Sequence, residues 1–120
     1  MHRELDEKVE LAWLSSFYGP LLTDAQREKL SQYCEEDLSV TEIAAMEGVS
    51  RQAIHEMISR SGEKMRAMEA KLHLAKRFSD MEMELVRCAN ALKAGDTTQA
   101  LELINTMIAR ETSMDQEEST

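Results

Sequence analysis

Residues Val40 to Met57, VTEIAAMEGVSRQAIHEM, spell a helix-turn-helix, and this pattern constrains the fold more than any other stretch of the chain. Each position that carries it does so for a steric or packing reason. Ala44 is small where two crossed helices approach most closely. Gly48, four residues on, supplies the φ > 0 that a sharp turn needs and that glycine adopts without strain. Val49 is expected to close the turn with an apolar contact, and Ser50 is a good N-cap for the next helix. Ile54 and Met57 then return to the core. Ser50 onward is the candidate recognition helix, the element such motifs lay into a groove.

The flanking sequence reads as further helices. Leu5, Val9, Ala12, Trp13 and Phe17 recur at helical spacing over 3–18, and Gly19-Pro20 stops that helix. Thr23 with Gln26, Ser39 with Glu42, Ser79 with Glu82 and Asp96 with Gln99 each place a capping residue three positions before a partner, which predicts helix starts. The fourth helix is expected to run from Arg51 to about Phe78, with Gly62 its weak point. No segment alternates like a strand, so the chain is all-α. The expected organisation is one helical domain over 1–111, with the helix-turn-helix at 40–60, a long fourth helix, a C-terminal helical hairpin over 79–110 and an acidic disordered tail at 112–120.

Along the fourth helix Ile54, Ile58, Ser61, Met65, Met68, Leu72 and Ala75 are spaced 4-3-4-3-4-3, a heptad seam thinned by Ser61 and Ala75. Met81, Leu85, Cys88 and Leu92 repeat the spacing. The seams can be satisfied by folding the fifth helix back along the fourth, or by a homodimer. The aromatic surplus of Trp13, Phe17 and Tyr18 adds to the expectation of a homodimer. Most of the nine methionines fall on the apolar stripes and read as core, with Met46 and Met83 the exposed exceptions. Cys34 and Cys88 lack CxxC spacing and read as buried free thiols.

Charge is uneven. The chain carries 14 Lys and Arg against 23 Asp and Glu, a net charge of -9. Such a chain is repelled at long range by phosphate backbones. Residues 49–78 nevertheless hold seven basic against three acidic side chains, a basic island between acidic arms. It is either a binding surface or a solvated helix face. Within it Arg51, Gln52, His55, Ser59, Arg60 and Lys64 are the candidate nucleic-acid contacts. Arg grips guanine or phosphate bidentately and Gln pairs with adenine. Against this, Glu56 shares the face, and a helix-turn-helix can also serve as a protein-binding scaffold. Catalysis finds no support: the three histidines have no metal-ligand spacing, and there is no Walker loop, GxGxxG or GxSxG. Neither a cofactor nor a metal is expected. No apolar run is long enough for a membrane span, and MHRELDEKVE is too charged for a signal peptide, so a cytoplasmic protein is expected.

FYGPLLT at 17–23, Gln26-Arg27, Tyr33, DLSVTEIA at 37–44, VSRQAI at 49–54, Arg60, Glu69, Lys71 and Leu72 together resemble the YlxM-like family. The resemblance spans about residues 5–74. It implies a fold similar to region 4 of sigma factors and a modulating role in the signal recognition particle pathway. Genes of this family commonly lie beside those of the particle's protein and its receptor in Gram-positive bacteria. The implied partners are the particle's protein, its RNA or both, and no catalytic residues come with the family. From the motif alone the expectation would be a DNA-binding regulator, with a protein-only adaptor as a third reading.

Overall fold

Side-chain caps set most of the helix starts. Thr23 and Gln26 close a capping box at 3.0 and 3.1 Å, and Ser39 and Glu42 close another at 3.1 and 3.2 Å, each satisfying two otherwise orphaned amides. The computed structural model describes residues 2–118, with side chains over 6–112. In order they form α1 (His2–Tyr18), a 3-10 turn (Gly19–Leu21), α2 (Asp24–Cys34), α3 (Val40–Glu47), α4 (Arg51–Leu72), α5 (Leu74–Lys93) and α6 (Thr97–Glu118). No strand occurs among the described residues, and none of their helices is long and apolar enough to cross a membrane. The chain divides into two compact units, Met1–Ala75 and Lys76–Thr120.

In the first unit α1, α2, α3 and α4 share one core. Leu11, Leu14 and Tyr18 come from α1, Leu30 and Tyr33 from α2, Ile43 and Ala44 from α3, and Ile54, Ile58 and Met65 from α4. The buried face of α1 is thus rotated from the expected one. Val9 is 63% exposed and Trp13 39%, while Tyr18 is 1% exposed. Both registers are apolar at helical spacing, and only the shape of the facing helices chooses between them. Gly62, expected to be a weak point, is buried where α4 meets α1: a Cβ there would stand 3.0 Å from Leu11 Cδ2. The heptad seam of α4 is spent inside this core from Ile54 to Met65, and Leu72 beyond it is half exposed. Among the other expectations, Met65 is fully buried and Met46 and Met83 are exposed. Cys34 and Cys88 are free thiols; Cys34 is half-buried, and that burial pushes its thiol up to about 11.

The fourth helix does not reach Phe78. It stops at Leu72, and His73 takes the left-handed conformation with φ 56°, its N–H donating to Glu69 O at 2.8 Å. The Tyr18 hydroxyl donates to Glu69 Oε1 at 2.5 Å and accepts from the Leu74 N–H at 3.2 Å. Glu69 Oε1 also accepts from the Ala75 N–H at 3.0 Å. Two orphaned amides at the start of α5 are thereby capped from α1 and α4, which compensates the strain at His73. Ser79, expected to cap the fifth helix, lies inside it.

In the second unit α5 and α6 form the expected hairpin around Gly95, which has φ 80°. Asp96 Oδ1 accepts from the Gln99 N–H at 3.0 Å and opens α6. Arg110 grips Glu84 with bonds of 2.6 and 2.8 Å, and Arg77 reaches Glu111 at 3.2 Å. Cys88, Ala91 and Ala100 are buried, but Leu85 and Leu92 of the expected seam are half exposed. The helix α6 continues past Arg110 to Glu118, because no Gly or Pro after Gly95 interrupts it. Of the expected tail, 119–120 lie outside the described residues.

Burial first, and the bond to Glu69 second, raise the Tyr18 phenol above its ordinary 10.0. The folded chain then keeps this proton to higher pH than the unfolded chain does. Its contribution is complete below about pH 10 and is lost as pH rises above that. Tyr18→Phe should cost about 1–3 kcal/mol at neutral pH, since Glu69 and Leu74 both lose a buried partner. Urea denaturation at a series of pH values should show that loss, and a shallower alkaline decline in the variant than in the parent.

Candidate nucleic-acid interface

The turn between α3 and α4 is built as its sequence requires. Gly48 has φ 69° and ψ 32°, and its N–H and that of Val49 both reach the Ala44 carbonyl. Val49 itself is half exposed, so this pair of backbone bonds closes the turn where an apolar contact was expected. Ser50 Oγ accepts from the Ala53 N–H at 3.1 Å and fixes the first turn of α4. Ala44, Ile54 and Ile58 lie beneath, all buried. Behind the turn the buried Lys29 of α2 reaches Glu47 at the end of α3 at 2.9 Å. The hydrogen bond from Lys29, then its charge, hold the Glu47 carboxyl below the usual carboxylate range, and Gln32 adds a further hydrogen bond. Lys29 was not singled out from sequence, where it reads as one more surface lysine.

On this support the motif presents an open groove of about 550 Å³, lined by Val40, Thr41, Arg51, Gln52 and His55. Three of the six candidate contacts therefore meet in one place, at the N-terminal end of α4, and all three are exposed. Val40 and Thr41 line it from α3; they lie within the motif, but the sequence did not single them out as contacts. Ser59 is half-buried further along α4. Arg60 is exposed, but at 3.6 residues per turn it stands about half a turn round the helix from Arg51. Lys64 lies further round still, and its Nζ donates to the Leu21 carbonyl at 2.7 Å. Glu56 is exposed and is not among the residues lining the groove.

Partners have taken up much of the basic island. Arg66 pairs with Glu10 at 2.7 Å, Lys76 with Asp80 at 2.8 Å and Arg77 with Glu111 at 3.2 Å. Arg51, Arg60 and Lys71 make no ion pair among the described residues. The groove thus holds one uncommitted guanidinium, a carboxamide and an imidazole beside a helix N-terminus. That set can hold a phosphate or a base edge. No group of three or more His, Cys, Asp or Glu among the described residues could hold a metal ion.

The profile of a family described as "Putative helix-turn-helix protein, YlxM / p13 like" matches residues 5–107. A UPF0122 protein of Shouchella clausii is 38% identical over 106 residues, covering 88% of this chain and 94% of its own length. One from Lactiplantibacillus plantarum is 34% identical over 108 residues, covering 88% and 93%. A third, from Symbiobacterium thermophilum, is 50% identical over 62 residues, covering 52% and 58%. The match extends past residue 74, where the resemblance was legible in sequence, into the C-terminal hairpin.

Gly48→Ala should cost about 1–2 kcal/mol although nothing lies within 4 Å of the added Cβ, because the penalty is purely that of the left-handed backbone. Gly48→Asn should cost less. Thermal unfolding of the two variants beside the parent measures the difference.

Proposed function

This chain belongs to the YlxM/p13-like helix-turn-helix family, and we propose that it is a non-enzymatic accessory factor of the signal recognition particle pathway that binds the particle's RNA through the groove at the start of α4. The observation that carries the nucleic-acid half of this reading is the convergence of Arg51, Gln52 and His55 on one open groove. The targeting-particle half rests on the family resemblance and its gene neighbourhood. An acidic chain with few uncommitted basic groups suits a short-range grip on one site of a folded RNA, where splayed bases are accessible. It suits a long phosphate track poorly. The acidic surface outside the groove leaves room for a basic protein partner in the same particle.

A DNA-binding regulator is the second reading, favoured by Arg51 and Gln52 standing at the N-terminal end of the recognition helix, where base edges are read. Titration into particle RNA, duplex DNA and the purified particle GTPase at one salt concentration separates the two. Sequence-preferring binding to duplex DNA alone would replace the first reading by the second.

Binding to RNA should show a shallow salt dependence, with a log–log slope of about −2 or less, since only Arg51, Arg60 and Lys71 are uncommitted in the island. Arg51→Ala should weaken binding by roughly 1–3 kcal/mol and flatten the slope by about one. Arg60→Ala, half a turn away, should cost under about 1 kcal/mol. Filter binding at three salt concentrations reads both quantities. Unchanged affinity and slope for Arg51→Ala would show the groove to be a solvated face.

A further inference from the structure

The apolar side chains left exposed on the α5–α6 hairpin are not scattered. Phe78, Leu85 and Leu92 form a stripe at sevenfold spacing on α5, each about half exposed. Leu101, Ile104 and Ile108 form another on α6, 58, 39 and 57% exposed. On each helix the stripe lies about a quarter turn beyond the face that meets the other helix, in the direction of rising residue number. Both helices are right-handed and run antiparallel, so the two stripes emerge on the same side of the hairpin. On that side Leu85, Leu92, Leu101, Ile104 and Ile108 are each 39–58% exposed, an apolar face of the kind that marks an interaction site. Among the described residues of the hairpin only Cys88, Ala91 and Ala100 are fully buried, with Leu103 and Met107 half-buried, which is little for two long helices.

What covers this surface is indicated by the polar row at its edge. Glu82, Val86, Ala89 and Lys93 follow one another at spacings of 4, 3 and 4. The row has the same spacing from either end, with the charge reversed. Such a row is self-complementary about a two-fold axis through its midpoint, as a symmetric dimer requires. Glu82 would face Lys93 of the partner subunit, and Val86 would face Ala89 of the partner subunit. Neither Glu82 nor Lys93 makes an ion pair among the described residues.

We infer that the open face of the hairpin docks on a second copy of this chain, α5 running antiparallel to α5 of the partner subunit, so that two hairpins form a four-helix bundle. The register is fixed by the two Glu82–Lys93 pairs, and the apolar stripes supply the driving force. This surface is distinct from the α4 seam, which is consumed within the first unit.

Sedimentation equilibrium on the full chain tests the assignment. The parent should be dimeric at about 10 µM. E82K and K93E should each weaken dimerisation at least about tenfold, because each sets like charges against one another twice. An equimolar mixture of the two variants should recover the parent's affinity within about threefold, since every facing pair is then of opposite sign. Leu85→Glu, a second route to the same face, should be monomeric with its helical circular dichroism retained. A parent that stays monomeric at about 100 µM would overturn the inference and leave the face to a different partner. Single variants as tight as the parent would place the dimer elsewhere. Failure of the mixture to recover would rule out the antiparallel register.

Discussion

One hydroxyl group decides how the chain is cut into helices. The Tyr18 oxygen gives its proton to Glu69 and receives that of the Leu74 amide, while the same Glu69 oxygen takes the Ala75 amide. Without these acceptors the amides that open α5 would be buried and unpaired, and a left-handed histidine would have nothing to offset its strain. With them, a stretch of sequence that looks like one helix of nearly thirty residues becomes two. The end of α1, the end of α4 and the start of α5 are thereby specified together. Gly62 completes the arrangement by letting α4 lie close enough to α1 for Leu11 to be buried.

What could be read from the sequence was what sequence neighbours decide. The capping boxes at Thr23 and Ser39, the left-handed Gly48, the Ser50 cap and the stop at Gly19-Pro20 all involve residues within four positions of one another, and all are present. The break at His73 was hidden because neither Gly nor Pro marks it and its cause, Tyr18, lies more than fifty positions away. The rotation of α1 escaped for a related reason. Val9 with Trp13 and Leu11 with Tyr18 are equally plausible stripes until the facing helices are in place. Of the candidate residues, the grouping of Arg51, Gln52 and His55 at one groove was legible because the motif itself sets their position. The separation of Arg60 and Lys64 follows from helical pitch, which a count of basic residues ignores.

The same distinction governs the electrostatics. A surplus of positive charge over residues 49–78 is a true property of the sequence, yet Arg66 and Arg77 meet carboxylates 56 and 34 positions away and Lys64 meets a carbonyl 43 positions away. Charge that is spent on structure does not steer a ligand. The field available to a polyanion is therefore narrower than composition suggests, and it centres on the end of α4 where the helix dipole adds to Arg51.

The contacts that hold α1 have a consequence in time. Glu10, Leu11 and Tyr18 find partners between Gly62 and Ala75, so α1 is made some fifty residues before this part of what it packs on. At about 5–20 residues per second, that is a wait of roughly 3–10 seconds during synthesis. Formation of α1 itself takes microseconds or less. For those seconds Leu11, Leu14 and Tyr18 lack the side of their core that α4 supplies, Ile54, Ile58 and Met65. The interval between making α1 and making the end of α4 is thus the stage at which a nascent chain of this sequence is most exposed to aggregation or to capture by other proteins.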